Sequence, residues 1–401
     1  MTLATAIALN ASAVRGAQLC LDLSVDAISD FNAFLETKPA WDALVEAAGI
    51  EHPFLTHDWI RSWWESFGAG RVLRIVMVRQ GGVLVGIAPL MVSRTRIYGI
   101  PVRELGSISN DHTPRFDFIA VGEVSGDDSA VTRAIWRFLW KHEREWDVMK
   151  VCQLDTASPT LDQLAELARG EACSFETWPS TDSPYLPIAG KIAGNIAGNF
   201  DDHFATLPRG QRANLRRRRK RLEEIGPVEF EQVSNESQLD NALDEAFRME
   251  AGTWKGAAGT AIVCHRELVS FYKSIAHRAA EQGTLYLTFL ILNKQRIAFD
   301  LSLIYNERLF KLKPGYVQEH HACSPGQQLT VMTIRDAFER GLSEVDFLGS
   351  ADEWKLAWTK DVRHHVWAYV FKNDLLGSLL HFAKFRFVPW LRRHIRPDRG
   401  E

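Results

Sequence analysis

Little in this chain favours covalent cross-links, membrane passage or bulk electrostatic attraction. Its 401 residues hold five cysteines, Cys20, Cys152, Cys173, Cys264 and Cys323, and none forms a CxxC pair. That usage argues against a disulfide framework and for reduced thiols, hence a cytoplasmic location. No stretch approaches the ~18 consecutive apolar residues of a spanning helix. Residues 1–14 are weakly apolar with no basic residue ahead of them, so a loose tail to residue 18 is expected rather than a signal peptide. The formal net charge is −3, so any attraction to nucleic acid or an anionic surface has to be local. Metal-ligand spacing is lacking too. His320, His321 and Cys323 cluster, but adjacent histidines rarely face one ion and nothing nearby completes the set. His364-His365 is too distant in sequence to be assumed a partner. Cys323 has no base at an activating spacing. No metal is expected.

What is present reads as an ordinary soluble protein. Hydrophobic residues make up 46% and charged ones 24%, at a length suited to about two or three domains. The first half predicts a strand at Leu19–Leu23, a helix at Ala40–Ala48, and a helix after Thr56, a plausible N-cap. Trp59, Trp63 and Phe67 share one face of that helix; a core role suits them better than a sugar platform. Gly81-Gly82 joins two strands as a hairpin. Further strands are predicted at Leu105–Asn110, Phe116–Val121, Asp147–Leu154 and Cys173–Trp178, with helices at Val131–Glu145 and Thr160–Ala168. Pro179, Pro184, Pro187, Gly190, Gly194 and Gly198 suggest a hinge between residues 179 and 199. The second half predicts helices near Arg209–Glu224, Ser237–Ala251 and Glu267–Gln282, then strands at Leu285–Leu292, Arg296–Tyr305 and Arg308–Lys313. The mixed order is an α/β (α+β) pattern. Expected units are residues 19–190, 191–373 and a basic amphipathic segment 374–401.

Several charged features stand out. Arg209, Arg212, Arg216–Arg219, Lys220 and Arg221 form a basic helix, either an anion-binding surface or a solvated face balanced by Glu223 and Glu224. Glu250, near a helix end, is either a general base or a surface glutamate. Asp300 and Asp346 sit in apolar strands, where a carboxylate is costly unless paired. Each is therefore salt-bridged or placed for chemistry; Asp346 is favoured as a site residue, with Lys355 as its partner. Leu375–Arg396 is apolar and basic together, suited to packing on the protein or to lying on an anionic membrane.

Leu309–Trp358 is the most informative stretch. A strand ends at Lys313, a loop follows, and Pro325-Gly326 opens a helix whose apolar face is Leu329, Met332, Ile334 and Phe338. Gly341 stops it, and Val345–Leu348 is again extended. The first amides of a helix lack intrahelical partners and carry partial positive charge. Ser324, Pro325, Gly326, Gln327 and Gln328 thus either cradle a phosphate or form an ordinary capped turn.

The string Lys313-x-Gly315-Tyr316, Ser324-Pro325-Gly326-x-x-Leu329, Asp346-Phe347-Leu348-Gly349 and Glu353-x-Lys355-x-x-Trp358 resembles the CelD/BcsL-type acyltransferase domain of the GNAT superfamily, related to the FemAB peptidyltransferases. Trp254-Lys255-Gly256 and Ile297-Ala298-Phe299 fit the same pattern. Trp354 stands where family members usually have Tyr, and Val317 where Asp is frequent. The resemblance covers residues 207–371 well and the first half more loosely. It implies two tandem GNAT-like domains, each a mixed, largely antiparallel twisted sheet flanked by helices. It further implies acyl-CoA, chiefly acetyl-CoA, as donor, held by Lys313 and Ser324–Gln328. Glu250, Asp346 and Tyr316 would carry catalysis, and Trp254, Lys255, Asp300, Glu353, Lys355 and Trp358 would meet the acceptor. The implied acceptor is a sugar or lipid-linked intermediate of exopolysaccharide or cellulose synthesis. The alternatives are a FemAB-like transferase using aminoacyl-tRNA and a non-catalytic module of polysaccharide synthesis.

Overall fold

The computed structural model describes residues 23–122, 127, 129–188, 199–233, 235–253, 256 and 258–390. The first half runs β1 (Leu23–Ile28), α1 (Phe31–Glu36), α2 (Lys38–Ala47), α3 (His57–Phe67), β2 (Val72–Gln80), β3 (Val83–Ile97), β4 (Ile100–Ser107), β5 (Ile119–Ala120), α4 (Ala130–Lys141), β6 (Val148–Asp155), α5 (Pro159–Gly170) and β7 (Ser174–Pro187). The second half runs α6 (Phe200–Thr206), α7 (Arg209–Ile225), β8 (Val228–Gln232), α8 (Glu236–Ala251), α9 (Arg266–Glu281), β9 (Leu285–Leu292), β10 (Gln295–Tyr305), β11 (Arg308–Tyr316), α10 (Pro325–Glu339), β12 (Glu344–Asp346), α11 (Glu353–Leu356), β13 (Val362–Phe371) and α12 (Leu375–Phe382).

Local chemistry builds these elements. Thr56 caps α3 by accepting from the Trp59 amide at 3.3 Å. Four hairpins turn on two residues that both have positive φ: Gly81-Gly82, Tyr98-Gly99, Asn293-Lys294 and Asn306-Glu307. Such turns match the right-handed twist of their strands. Trp41, Trp59 and Trp63 are buried, so the tryptophans of α3 serve the core.

The strands form one sheet in the order β1-β2-β3-β4-β6-β13-β7-β12-β11-β10-β9-β8. That order is symmetric about its middle. β4 pairs in parallel with β6, as β11 does with β12; the other strand pairs are antiparallel. At the centre the halves exchange strands: β13 lies between β6 and β7, and β7 between β12 and β13. Pro179 and Pro184, expected at a hinge, are strand residues of β7, opposite Val366 and Val362. A proline survives in a strand where the ladder is already broken. Here the register shifts between His364 and Val366, and β7 changes neighbour from β13 to β12 after Pro184. Pro187 is also a strand residue, opposite Glu344; residues 189–198 of the expected hinge lie outside the described residues.

The core lies on both faces of the sheet. Leu287, Phe289, Phe299 and Phe310 pack with α8 and α9, while Tyr286 and Leu309 meet Ile334 and Ala337 of α10 on the other side. α3 packs on α9 across the two halves. There the Trp59 and Phe271 rings meet edge-on at 5.3 Å, and Arg278 bonds Ser62 Oγ at 2.6 Å and Glu65 at 2.9 Å. No described helix is long and apolar enough to cross a membrane.

Candidate active site

β11 and β12 pair only from Arg308–Phe310 to Glu344–Asp346. On β11, Leu312 is an extra residue: Leu301 faces Lys313 while Ser302 faces Lys311. A bulge of this kind bends its strand. Beyond Phe310 the two strands have no further paired residues. On β12 the chain turns away through Leu348 and Gly349, with φ of 51° and 60°. The edge of β11 from Lys311 onward therefore has backbone groups turned toward a gap instead of a ladder.

The N-terminus of α10 lies near that gap. Ser324 adopts a left-handed conformation (φ 47°, ψ 60°) with no side-chain cap bond, and Pro325 takes the first helical turn. The expected row of free amides is narrower than the sequence suggests. The Ser324 amide donates to the His321 carbonyl at 2.9 Å, and Gln327 and Gln328 donate to the Ser324 carbonyl at 2.9 and 3.1 Å. Pro325 has no N–H. Among the described residues, the Gly326 N–H meets no protein acceptor. A Cβ at Gly326 would approach only Tyr316 Cδ1, at 3.6 Å, so the position is open.

The basic helix reaches the same place. Arg218 donates to Ser324 Oγ at 2.6 Å, and the Gln328 side chain bonds the Leu215 carbonyl at 3.1 Å. α7 is thus neither a purely solvated face nor a remote one. A cavity of about 580 Å³ lies alongside, lined by Phe204, Leu215, Arg219, Phe230, Gln328 and Met332. Cys323 is buried against Leu222 and Leu329, where it acts as an apolar filler.

A second polar cluster bridges the halves. His112, from the loop after β4, shares a 2.9 Å hydrogen bond with the Tyr272 hydroxyl of α9. Lys313 lies over the Tyr272 ring at 5.3 Å. Glu250, only 1% exposed, accepts from the Ile262 amide at 2.9 Å. Burial, with the Glu250 charge adding, pushes the Tyr272 phenol well above its usual range, so it stays protonated. Lys313, expected beside the phosphate loop, stands in this cluster instead. Nothing in the local sequence singles out His112, because its partner lies 160 residues away.

Other expected residues are committed to structure. Asp346 is fully buried and bonds Arg115, Arg363 (3.1 Å), Ser183 (3.4 Å) and the Leu348 amide (2.9 Å). Asp346, expected as a base, thus has both carboxylate oxygens engaged by the protein at the junction between the halves. Its expected partner Lys355 instead donates to the Leu348 and Ser350 carbonyls at 2.8 Å each. Asp300 forms a buried ion pair with Lys311 and accepts from Ser302 at 2.7 Å. Trp358 is buried with Leu309, Val345 and Phe347. Asp300 and Trp358, both expected to meet the acceptor, are therefore buried side chains. Glu353 is exposed at the start of α11. Tyr316 is half-buried beside Gly326. Trp254 and Lys255 lie outside the described residues. Among the described residues, no group of three or more His, Cys, Asp or Glu could hold a metal.

Residues 209–356 match the acetyltransferase (GNAT) domain family. Among solved structures, FemX superposes with a TM-score of 0.56 at 12% identity, covering 90% of this chain and 99% of that one. The chain shares that overall fold. A Bacteroides thetaiotaomicron protein of unknown function aligns with a TM-score of 0.53 at 10% identity, over 87% of this chain and all of its own. The DUF2156 domain of an Agrobacterium fabrum protein gives 0.51 at 12% identity, over 87% and 96%. No curated protein matches by sequence. The GNAT match begins at the first residue of α7 and ends in α11. It contains the bulged β11 and the α10 N-terminus, but not the loop that carries His112.

Proposed function

We infer that the chain transfers an acyl group, chiefly acetyl, from acyl-CoA to an amine or hydroxyl acceptor held between the two halves. The observation that carries this reading is the bulged end of β11 opening beside the α10 N-terminus, inside the segment that matches the GNAT domain. The residues present fit the donor: the Gly326 amide is open and Arg218 stands next to Ser324, a neutral and a cationic donor for a diphosphate.

Acyl-CoA supplies an activated thioester carbonyl. The backbone N–H groups of β11 past Phe310 take the charge that develops on that carbonyl oxygen. On the acceptor side, His112, held by Tyr272, receives the proton of the attacking group, with the buried Glu250 charge behind it. Tyr316, next to Gly326, protonates the departing thiolate. The halves orient the reaction, since His112 comes from one and β11 from the other. The resemblance to CelD/BcsL-type domains suggests a sugar or lipid-linked acceptor of polysaccharide synthesis.

The likeness to the FemX fold, with Arg218 at the α10 N-terminus, favours a second reading in which aminoacyl-tRNA is the donor. Calorimetry of the whole protein with CoA, acetyl-CoA and aminoacyl-tRNA separates the two. Acyl-CoA chemistry requires CoA binding that Gly326→Glu abolishes and Arg218→Ala weakens about tenfold or more, the worth of one charge-assisted bond. Binding of the RNA without CoA would transfer the assignment to the second reading. Binding of neither would leave a non-catalytic module.

A further inference from the structure

We propose that α12 and the turn after it dock the protein on an anionic lipid surface. α12 continues into a π-helical turn at Ala383–Phe387. One side of this segment is spoken for: Leu376, Leu380 and Phe385 pack on Val102, Val148, Tyr369 and Phe371. The other side is not. Leu375 is 92% exposed, Phe382 56% and Trp390 52%, and Leu379 and Phe387 are exposed as well. Leu375, Leu379 and Phe382 recur at spacings of four and three, which puts them on one stripe of the helix. Phe382, Phe387 and Trp390 stack in series, with ring centroids 6.4 and 6.2 Å apart. Five large apolar side chains facing water in one short segment make a patch rather than a scatter.

Charge names the occupant. The protein is acidic overall, but no Asp or Glu occurs between Leu375 and Pro397. That span carries Lys384, Arg386, Arg392, Arg393 and Arg396. The neighbouring acid Glu176 is taken up by His381 at 3.0 Å. The β3–β4 hairpin adjoins the same spot, because Ile97 and Ile100 pack on the cluster beneath α12, and its turn adds exposed Tyr98. A second copy would bring the same cations against these and repel them. A bilayer of anionic phospholipid offers what the patch lacks: apolar depth for Leu, Phe and Trp, and phosphates to pair with Arg386. This inference does not depend on the acyl-transfer reading.

Flotation of the whole protein with vesicles tests it, using phosphatidylcholine alone and phosphatidylcholine mixed with phosphatidylglycerol. Binding is expected only to the anionic mixture and should fall as salt rises. Leu379→Glu with Phe382→Glu should weaken it about tenfold or more, and Arg386→Gln about fivefold. These side chains are exposed, so circular-dichroism melts should not move; calorimetry with CoA on the same samples keeps this test apart from the donor-binding test. A wild-type protein that stays in the buffer fraction overturns the proposal. So does binding that the double variant leaves unchanged. A concentration-dependent dimer that the double variant abolishes would assign the patch to a second copy and overturn it as well.

Discussion

Gly315 and Gly326 sit eleven positions apart and face opposite demands. A Cβ on Gly315 would lie 2.3 Å from Phe299 Cε1 inside the core, whereas one on Gly326 meets only Tyr316 at 3.6 Å. Gly315→Ala should therefore cost about 1–3 kcal/mol by denaturant melts, while Gly326→Ala should leave the midpoint unchanged or raise it. Equal losses would refute the packing assignment of both. At the acceptor cluster, His112→Gln should lower kcat by about 10²-fold and remove the acidic limb of its pH profile, with KM changed less. Retention of that limb would exclude His112 as the base. Single residues were partly readable in advance. Glu250 was marked by its place at a helix end, yet its burial and its neighbour Tyr272 were not. Asp346 was rightly singled out as a carboxylate needing a partner, but Arg115 and Arg363 come from distant elements.

Among the elements, the exchanged strands matter most for stability. β13 lies between β6 and β7, and Arg363 on it holds Asp346 and Glu344 of β12. Asp346→Asn leaves the buried Arg115 guanidinium with a weaker partner, while Arg363 keeps Glu344, at an expected cost of about 3 kcal/mol. A thermal melt within error of wild type would contradict that role. The strand exchange makes a further prediction. A fragment of residues 19–190 lacks β13, so β6 and β7 lose the strand between them. The fragment should stay unfolded by circular dichroism, and a peptide of residues 362–371 should rescue it. Independent folding of the fragment would show that β13 is dispensable. The sequence reading placed no strand at Val362–Phe371, because its cationic and histidine residues blur the alternation expected of a half-buried strand. The Gly81-Gly82 hairpin and the longer helices were legible, since caps and two-residue turns act within a few positions.

At the scale of the whole molecule, burial sets the acid response. His52, His57, His203 and His365 all have their imidazoles held below the usual histidine range, chiefly by desolvation; Arg115 adds to this at His52 and His365. Folded, they resist a proton that the unfolded chain accepts near pH 6.5. Their stabilisation is thus complete above that pH and lost as pH falls below it. Asp117 and Glu104, which burial pushes up, act in the opposite direction, above the ordinary carboxylate range. The melting temperature should fall between pH 6.5 and 5, and a flat profile would refute the account. The α/β pattern, the helix after Ser324 and the amphipathic character of residues 375–396 were set by the sequence alone, whereas the two lobes were only what the family resemblance implied. Periodicity, turn chemistry and charge runs are local, and a linear reading captures them. Only the tertiary structure decided that β7 and β13 trade places, that His112 meets Tyr272, and that one side of α12 stays uncovered. Each of these depends on which distant segments share a surface, and so on burial and pairing that no window of neighbouring residues contains.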